Sequence, residues 1–281
     1  MEPLIALTII SLSVLAGLVG SLLGLGGGLI VVPALTLGLG FSMQEAIGAS
    51  LIGVIASSTG AAARYVREGY ANIKLGMLLE TTTTVGAILG ALTAVYLDQM
   101  ILFILFSFVL VFAAHRMMMR KETVHDPDEP GGDVGEIDLS CSYYDPRTNK
   151  EVAYGVRGIK VGLFASLAAG GLSGLLGVGG GVIKVPVMNA YMCVPMKAAT
   201  ATSNFMIGVT ALSGALIYFR YDLIQPVLAA LVGIGVLMGA MAGSRIIERI
   251  DSITLRKGFG IFLLFVAIMM ALRALGLIEV A

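Results

Sequence analysis

Six glycines in two matching settings carry the chemistry this sequence offers. Gly26, Gly27 and Gly28 lie within GLGGGLIVVP, Gly24 to Pro33, and Gly179, Gly180 and Gly181 lie within GVGGGVIKVP, Gly177 to Pro186. Three glycines in a row break a helix and let other atoms approach the backbone closely. In an apolar setting such a break leaves N–H groups that protein, water or a ligand must satisfy. The arms after the breaks would aim their positive dipole ends at one point, and two such ends suit a small anion. The bland alternative is close helix packing, as small-xxx-small patterns provide. Recurrence of the motif, with Pro33 and Pro186 at the same offset, favours a site.

A few side chains could add to it. Lys184 stands where the first motif has Val31. A lysine at membrane depth is costly and marks a pathway or a partner, unless it snorkels to an interface. Glu80 opens the run ETTTT and could pair with Lys184, relay protons as a coupling group, or rest near an interface. Ser50 and its counterpart Ser203, with the neighbouring Asn204, could line a polar path or simply bond neighbouring helices. Cys193 could serve sulfur chemistry, although buried cysteines are more often structural. Cys141 reads as incidental and His115 as a helix-end cap. HExxH, GxSG, Walker and paired-aspartate patterns are missing from the spans. We therefore expect no enzyme, no metal and no cofactor.

These residues sit in a duplicated chain. Gly24 and Gly177 are 177 − 24 = 153 residues apart, and that offset aligns about eighty residues without gaps. Ten of the seventeen positions from Gly17 to Pro33 match identically, and farther on Ser50 falls on Ser203, Tyr65 on Tyr218 and Gly86 on Gly239. Hydrophobic residues make up 57% of the chain and charged residues 13%, with a mean hydropathy of +0.94. Apolar runs long enough to cross about 30 Å of hydrocarbon fall at 4–23, 46–64, 75–96, 99–119, 160–176, 199–219, 224–244 and 258–276. The fold class is all-α and polytopic, in a lipid bilayer, with the N-terminal span retained rather than cleaved. Zero net charge argues against nucleic acid as a partner. Two membrane repeats, 1–120 and 158–281, flank a polar linker, 121–157, with an acidic cluster from Asp126 to Asp138 and a probable β-hairpin around CSYYDPRTNKEVAYGV.

Segment 4–40 is too long for one crossing, so it is either a tilted broken span or a hairpin that turns at the glycines. Charge helps decide, since cytoplasmic loops collect Lys and Arg. A returning hairpin plus three crossings per repeat places Arg64, Arg67, Lys74, Arg116, Arg120, Lys121, Arg157, Lys160, Arg245, Arg249, Arg256 and Lys257 inside. Only Arg220 and Arg273 fall outside. An odd number of crossings makes the repeats inverted, with both termini outside and the linker cytoplasmic, in a plasma or inner membrane.

On the paired GxGGGxxxVP motifs, supported by the SM/PM-x-x-A segments at Ser42 and Pro195, the chain resembles the TauE/SafE family of sulfite and organosulfonate exporters. The resemblance covers nearly the whole chain. It implies a transporter that moves small sulfur-containing anions, such as sulfite or sulfoacetate, outward. Backbone donors at the two tips, Lys184, Ser50, Ser203 and Asn204 would bind the anion, with rocking repeats exposing it to alternate sides. A thiosulfate importer that depends on Cys193, an anion channel, and a membrane sensor or scaffold that binds a partner through the linker without flux are the competing readings, and a homodimer stays open. Leucine at Gly27 and Gly180 is expected to abolish transport in a protein that still folds.

Overall fold

The structure, a computed structural model, describes residues 3–23, 26–119, 139–145, 150–246 and 252–277. The acidic cluster from Asp126 to Asp138, the basic residues Arg120, Lys121 and Arg249, and Gly24 lie outside the described residues. The first half contains α1 (Pro3–Leu23), α2 (Gly28–Pro33), α3 (Met43–Arg67), α4 (Ile73–Tyr96) and α5 (Gln99–Met119). Strands β1 (Cys141–Asp145) and β2 (Lys150–Tyr154) follow. The second half contains α6 (Ile159–Leu176), α7 (Gly181–Ala190), α8 (Met196–Arg220), α9 (Pro226–Ile246) and α10 (Ser252–Ala274). Among the described residues, seven helices are long and apolar enough to cross a membrane: α1, α3, α4, α5, α6, α8 and α9, each over most or all of its length. α10 spans 23 residues and is apolar through Gly258–Ala274. Large apolar side chains such as Leu4, Phe108, Phe164 and Phe219 are exposed, a surface that suits lipid and not water. The chain is a polytopic all-α membrane protein.

Local chemistry sets the helix ends. Ser42 and Glu45 form a reciprocal capping box at the start of α3, and the Asn72 side chain accepts from the Leu75 N–H at the start of α4. Pro33 has no N–H to donate, and the chain continues from it as a π-helical turn, Ala34–Gly38. Pro186 is held within α7 without such a turn.

Of the two readings of segment 4–40, the structure has the hairpin. Beyond α1 the chain folds back, so that a Cβ on Gly27 would lie 3.1 Å from the Ala16 carbonyl oxygen. Farther along, Val31, Ala34 and Leu35 face Ile9, Leu12 and Ser13 across a small cavity. The second half repeats the turn, with Gly180 placed against Ala169.

The halves interlock through glycine. Gly170 and Gly174 on α6 meet the carbonyl oxygens of Thr83 and Ala87 on α4, and Gly239 and Gly243 on α9 meet those of Val14 and Leu18 on α1. Three of these four contacts recur when one partner is advanced by 153 residues and the other moved back by the same amount. Thus Gly17 against Val236 mirrors Gly170 against Thr83. Equivalent helices also pack on each other and run antiparallel. On α3 and α8, Leu51 lies against Gly214, whereas Ser58 lies against Gly208 and bonds the Asn204 carbonyl. On α5 and α10, Ser107 donates to the Ala267 carbonyl and Gly260 faces Ala114 and Met118.

The strands pair antiparallel, with Tyr143 opposite Val152. They dock on the membrane helices: Tyr143 is buried and stacks obliquely on Tyr70 at 5.5 Å, and Asn72 Nδ2 donates to the Leu139 carbonyl at 2.9 Å.

The glycine seam makes a sharp prediction. A methyl at Gly170 would overlap the Thr83 carbonyl, whereas the nearest atom to a methyl at Gly171 is 3.8 Å away. Gly170→Ala should cost about 1–3 kcal/mol and Gly171→Ala little, measured as thermal unfolding in detergent.

Candidate functional site

The two glycine breaks meet in the buried centre, beside the middle of α3. Gly26 packs on Val54 of α3 and Ile207 of α8, at 3.2 and 3.4 Å from a Cβ position, and Gly177 packs on Ile47. A Cβ on Gly28 would overlap the Gly177 carbonyl and lie 3.0 Å from the Val178 Cα. Ser50 Oγ ties the contact together by donating to the Gly177 carbonyl at 2.9 Å, and Ser57 Oγ donates to the Gly26 carbonyl at 3.1 Å. Backbone thus meets backbone, with only glycine and serine between.

Gly27 and Gly180 are the left-handed caps of α2 and α7, at φ 80° and 72°. Intrahelical bonding starts with Ile30 and Val31 donating to the Gly27 carbonyl, and with Ile183 and Lys184 donating to that of Gly180. The N–H groups of Gly28, Leu29, Gly181 and Val182 precede those ladders, in residues that are all buried. Arms of 11 residues (28–38) and 10 residues (Gly181–Ala190) each extend about 15 Å, half of a hydrocarbon core.

The same geometry corrects one expectation. Leucine at Gly27 or Gly180 would be forced into the left-handed region and against the carbonyls of Ala16 and Ala169. Such variants strain the fold at the same place as any site, so a loss of transport in them does not by itself test function.

Of the two glycine arms, the second carries a charge and the first does not. Lys184 is 2% exposed, so it does not snorkel, and it reaches Thr210 of α8 and Glu80 of α4. Nζ donates to Thr210 Oγ1 at 3.0 Å; Thr210 Oγ1 donates to Glu80 Oε1 at 2.7 Å; Thr84 Oγ1 adds a longer bond to the same oxygen at 3.3 Å. The second carboxylate oxygen, Oε2, stands 3.8 Å from Nζ and is buried with no hydrogen-bond partner among the described residues. Glu80 itself is 8% exposed. Here the charges are paired through a hydroxyl, as buried charges in a low-dielectric interior must be. The Lys184 stem runs alongside the second tip, with Cε 3.4 Å from the Cβ position of Gly180.

The remaining candidates divide. Ser50 joins the tips. Ser203 is fully buried, and its hydroxyl has no partner among the described residues. Asn204 spends its amide on the Thr200 carbonyl at 3.0 Å, and its own carbonyl accepts from Ser58 at 2.6 Å. Cys193 lies in the turn beyond α7, at the opposite end of that arm from Gly180. Cys141 is on β1, and His115 is exposed on α5. Two participants escaped the sequence reading, Thr210 and Ser57. They occupy equivalent positions (57 + 153 = 210), so the repeat register held a signal for both.

Breaking the buried pair should be worse than removing it. Lys184→Met or Glu80→Leu alone leaves a lone buried charge and should cost about 3–5 kcal/mol, whereas the double variant should recover much of that loss. A double-mutant cycle of thermal unfolding measures the difference.

Known proteins place the architecture. The family model described as "Sulfite exporter TauE/SafE" matches residues 9–270. The probable membrane transporter protein YunE of Bacillus subtilis is 25% identical over 254 residues, covering 88% of this chain and 90% of that protein. A probable membrane transporter protein of Methanocaldococcus jannaschii, MJ0441, is 25% identical over 257 residues, 86% of each chain. YdhB of Bacillus subtilis, with the same description, is 24% identical over 92% of this chain and 99% of its own. No solved structure matches the chain significantly. With two glycine-tipped hairpins at its centre, and a family match running through both of them, the chain is a membrane transporter that belongs to the sulfite exporter TauE/SafE family.

Proposed function

We propose that this transporter carries a small sulfur-containing anion, sulfite or an organosulfonate such as sulfoacetate, out of the cell by alternating access around the two glycine tips. The observation that carries the reading is the backbone-to-backbone meeting of Gly28 with Gly177 and Val178, deep between α3 and α8. The N–H groups of Gly28, Leu29, Gly181 and Val182 would receive the oxyanion, and Lys184 would supply the one ammonium group. Ser50, Ser203 and Asn204 would line its approach. Gly26, Gly27, Gly179 and Gly180 would let the backbone come within hydrogen-bond reach.

The tips now touch, so admitting an anion requires them to separate. Antiparallel packing of α3 on α8 and of α5 on α10 supports repeats inverted across the bilayer. In that arrangement, rocking one repeat against the other opens the same site to either side. Both termini would then lie outside and the linker inside, on the loop charges. A cell interior negative by about 100 mV favours anion exit by about 2.3 kcal/mol per charge.

The position of Cys193, at the far end of α7 from the tip, weighs against the thiosulfate importer that needs it. Liposomes containing the purified protein should show saturable sulfite counterflow that sulfoacetate competes and chloride does not. Lys184→Met should reduce it at least about tenfold, equivalent to about 1.4 kcal/mol, while Cys193→Ser should retain it. Electrical recording that finds flux far above carrier rates, with no counterflow, would replace the carrier with a channel. Sulfite flux that vanishes in Cys193→Ser would favour the importer.

A further inference from the structure

We infer that Glu80 is a resident competitor of the transported anion for Lys184, and that it takes up one proton whenever the anion displaces it. The inference rests on the anion-transport reading above and adds to it a coupling ion.

The geometry is that of a site holding a substitute ligand. Lys184 is an ammonium group with three donors, of which Thr210 takes one. Facing it across 3.8 Å is Glu80 Oε2, a buried carboxylate oxygen with no hydrogen-bond partner among the described residues. Both groups therefore keep hydrogen-bonding capacity in hand inside the membrane part of the molecule, where unused capacity is expensive. The lysine stem lies along Gly180, so an anion received by the N–H groups of Gly181 and Val182 arrives beside the same ammonium. Two negative charges would then share one positive charge in a buried space. An uncompensated buried charge costs several kcal/mol, and the carboxylate relieves that cost by binding a proton to become a carboxylic acid. No other bond changes: one proton arrives from solvent and one anion binds.

The pair is also an addition to the fold and not a requirement of it. In the first half, Val31 stands at the position of Lys184 and Ser57 at that of Thr210, and the place equivalent to Glu80 in the second half is Gly233. The first tip is held without charge, by Ser57 on the Gly26 carbonyl.

Among the described residues, Lys184 is the charged group facing Glu80. The elements packed on α4 otherwise bring Lys160 in the first turn of α6, Lys197 and Arg220 at the ends of α8, and Glu45, Arg64 and Arg67 at the ends of α3. The half-buried Tyr65 and the buried Tyr218 complete the titratable set on α3 and α8, and Lys74 stands in the first turn of α4 itself. The docked strands bring Tyr143 against Tyr70, above the start of α4.

The decisive measurement is calorimetric titration of the detergent-purified full chain with methanesulfonate, whose charge does not change between about pH 5 and about pH 8. Two buffers of different ionisation enthalpy count the protons. Wild type should take up one proton per anion, with affinity rising as pH falls, by up to about tenfold per unit. Glu80→Gln should bind more tightly at neutral pH, with no proton uptake and a flat pH profile. Binding by wild type at a pH-independent affinity, without proton uptake, would overturn the inference and leave the transport reading intact. Absence of both methanesulfonate binding and sulfite counterflow would remove the transport reading, and this inference with it. Should Glu80→Gln fail to fold, the proton count of the wild type decides the matter alone.

Discussion

The structure depends on one constraint: a helix interrupted in an apolar interior must have its freed backbone groups satisfied. This chain interrupts a helix twice, at Gly26–Gly28 and Gly179–Gly181, and brings the interruptions together. The Gly177 carbonyl is met by Ser50 and the Gly26 carbonyl by Ser57, so hydroxyls from α3 hold both breaks. That closeness is possible only because Gly28 adds no side chain where Gly177 and Val178 arrive. The surrounding helices follow suit. Small residues on α1, α4, α6 and α9 let backbones touch around the breaks, since among apolar surroundings tight contact replaces the hydrophobic drive as the source of cohesion.

Against this nearly charge-free frame the Glu80–Thr210–Lys184 cluster stands apart. A buried ion pair contributes little net stability, because the desolvation of both partners offsets their attraction. A leucine and a methionine would fill the same volume at lower cost. The cluster lies on one tip only, and among the described residues its second carboxylate oxygen is left without a hydrogen bond. Stability does not account for that arrangement, whereas the proposed role in handling charge would. It also makes two halves of one ancestral pattern unequal, with one tip held by hydroxyls and the other carrying an ammonium group.

Much of this was legible in the sequence. The doubled GxGGG motif marked both breaks, and apolar run length marked the helices, because covering a hydrocarbon core demands a continuous stretch that no loop can imitate. Turn chemistry in DPRTNK marked the strand pair. Lys184 and Glu80 were visible as charges out of place, yet their partnership was one of several readings. Thr210 went unnoticed because a threonine in an apolar helix ordinarily bonds its own backbone, as this one also can through the Met206 carbonyl. The linker strands were readable, but not their docking through Tyr143 onto Tyr70. The tolerance of Gly27 and Gly180 for leucine was misjudged, since spacing alone says nothing about φ or about the carbonyl that waits beside each residue.

What the sequence determined by itself is therefore everything that follows from local composition: a membrane protein, its spanning helices, its duplication and the two places where helix must fail. Only the tertiary structure decided which helix belongs beside which. It turned each hairpin back on its own first helix, paired α1 with α9 and α4 with α6 across the halves, and laid α3 antiparallel to α8. The reason is physical. Hydropathy and helix breaking act over a few turns and are written in adjacent residues, whereas backbone approach at glycine and the pairing of buried charges act between distant residues, 130 positions apart for Glu80 and Thr210 and 239 − 14 = 225 for Val14 and Gly239.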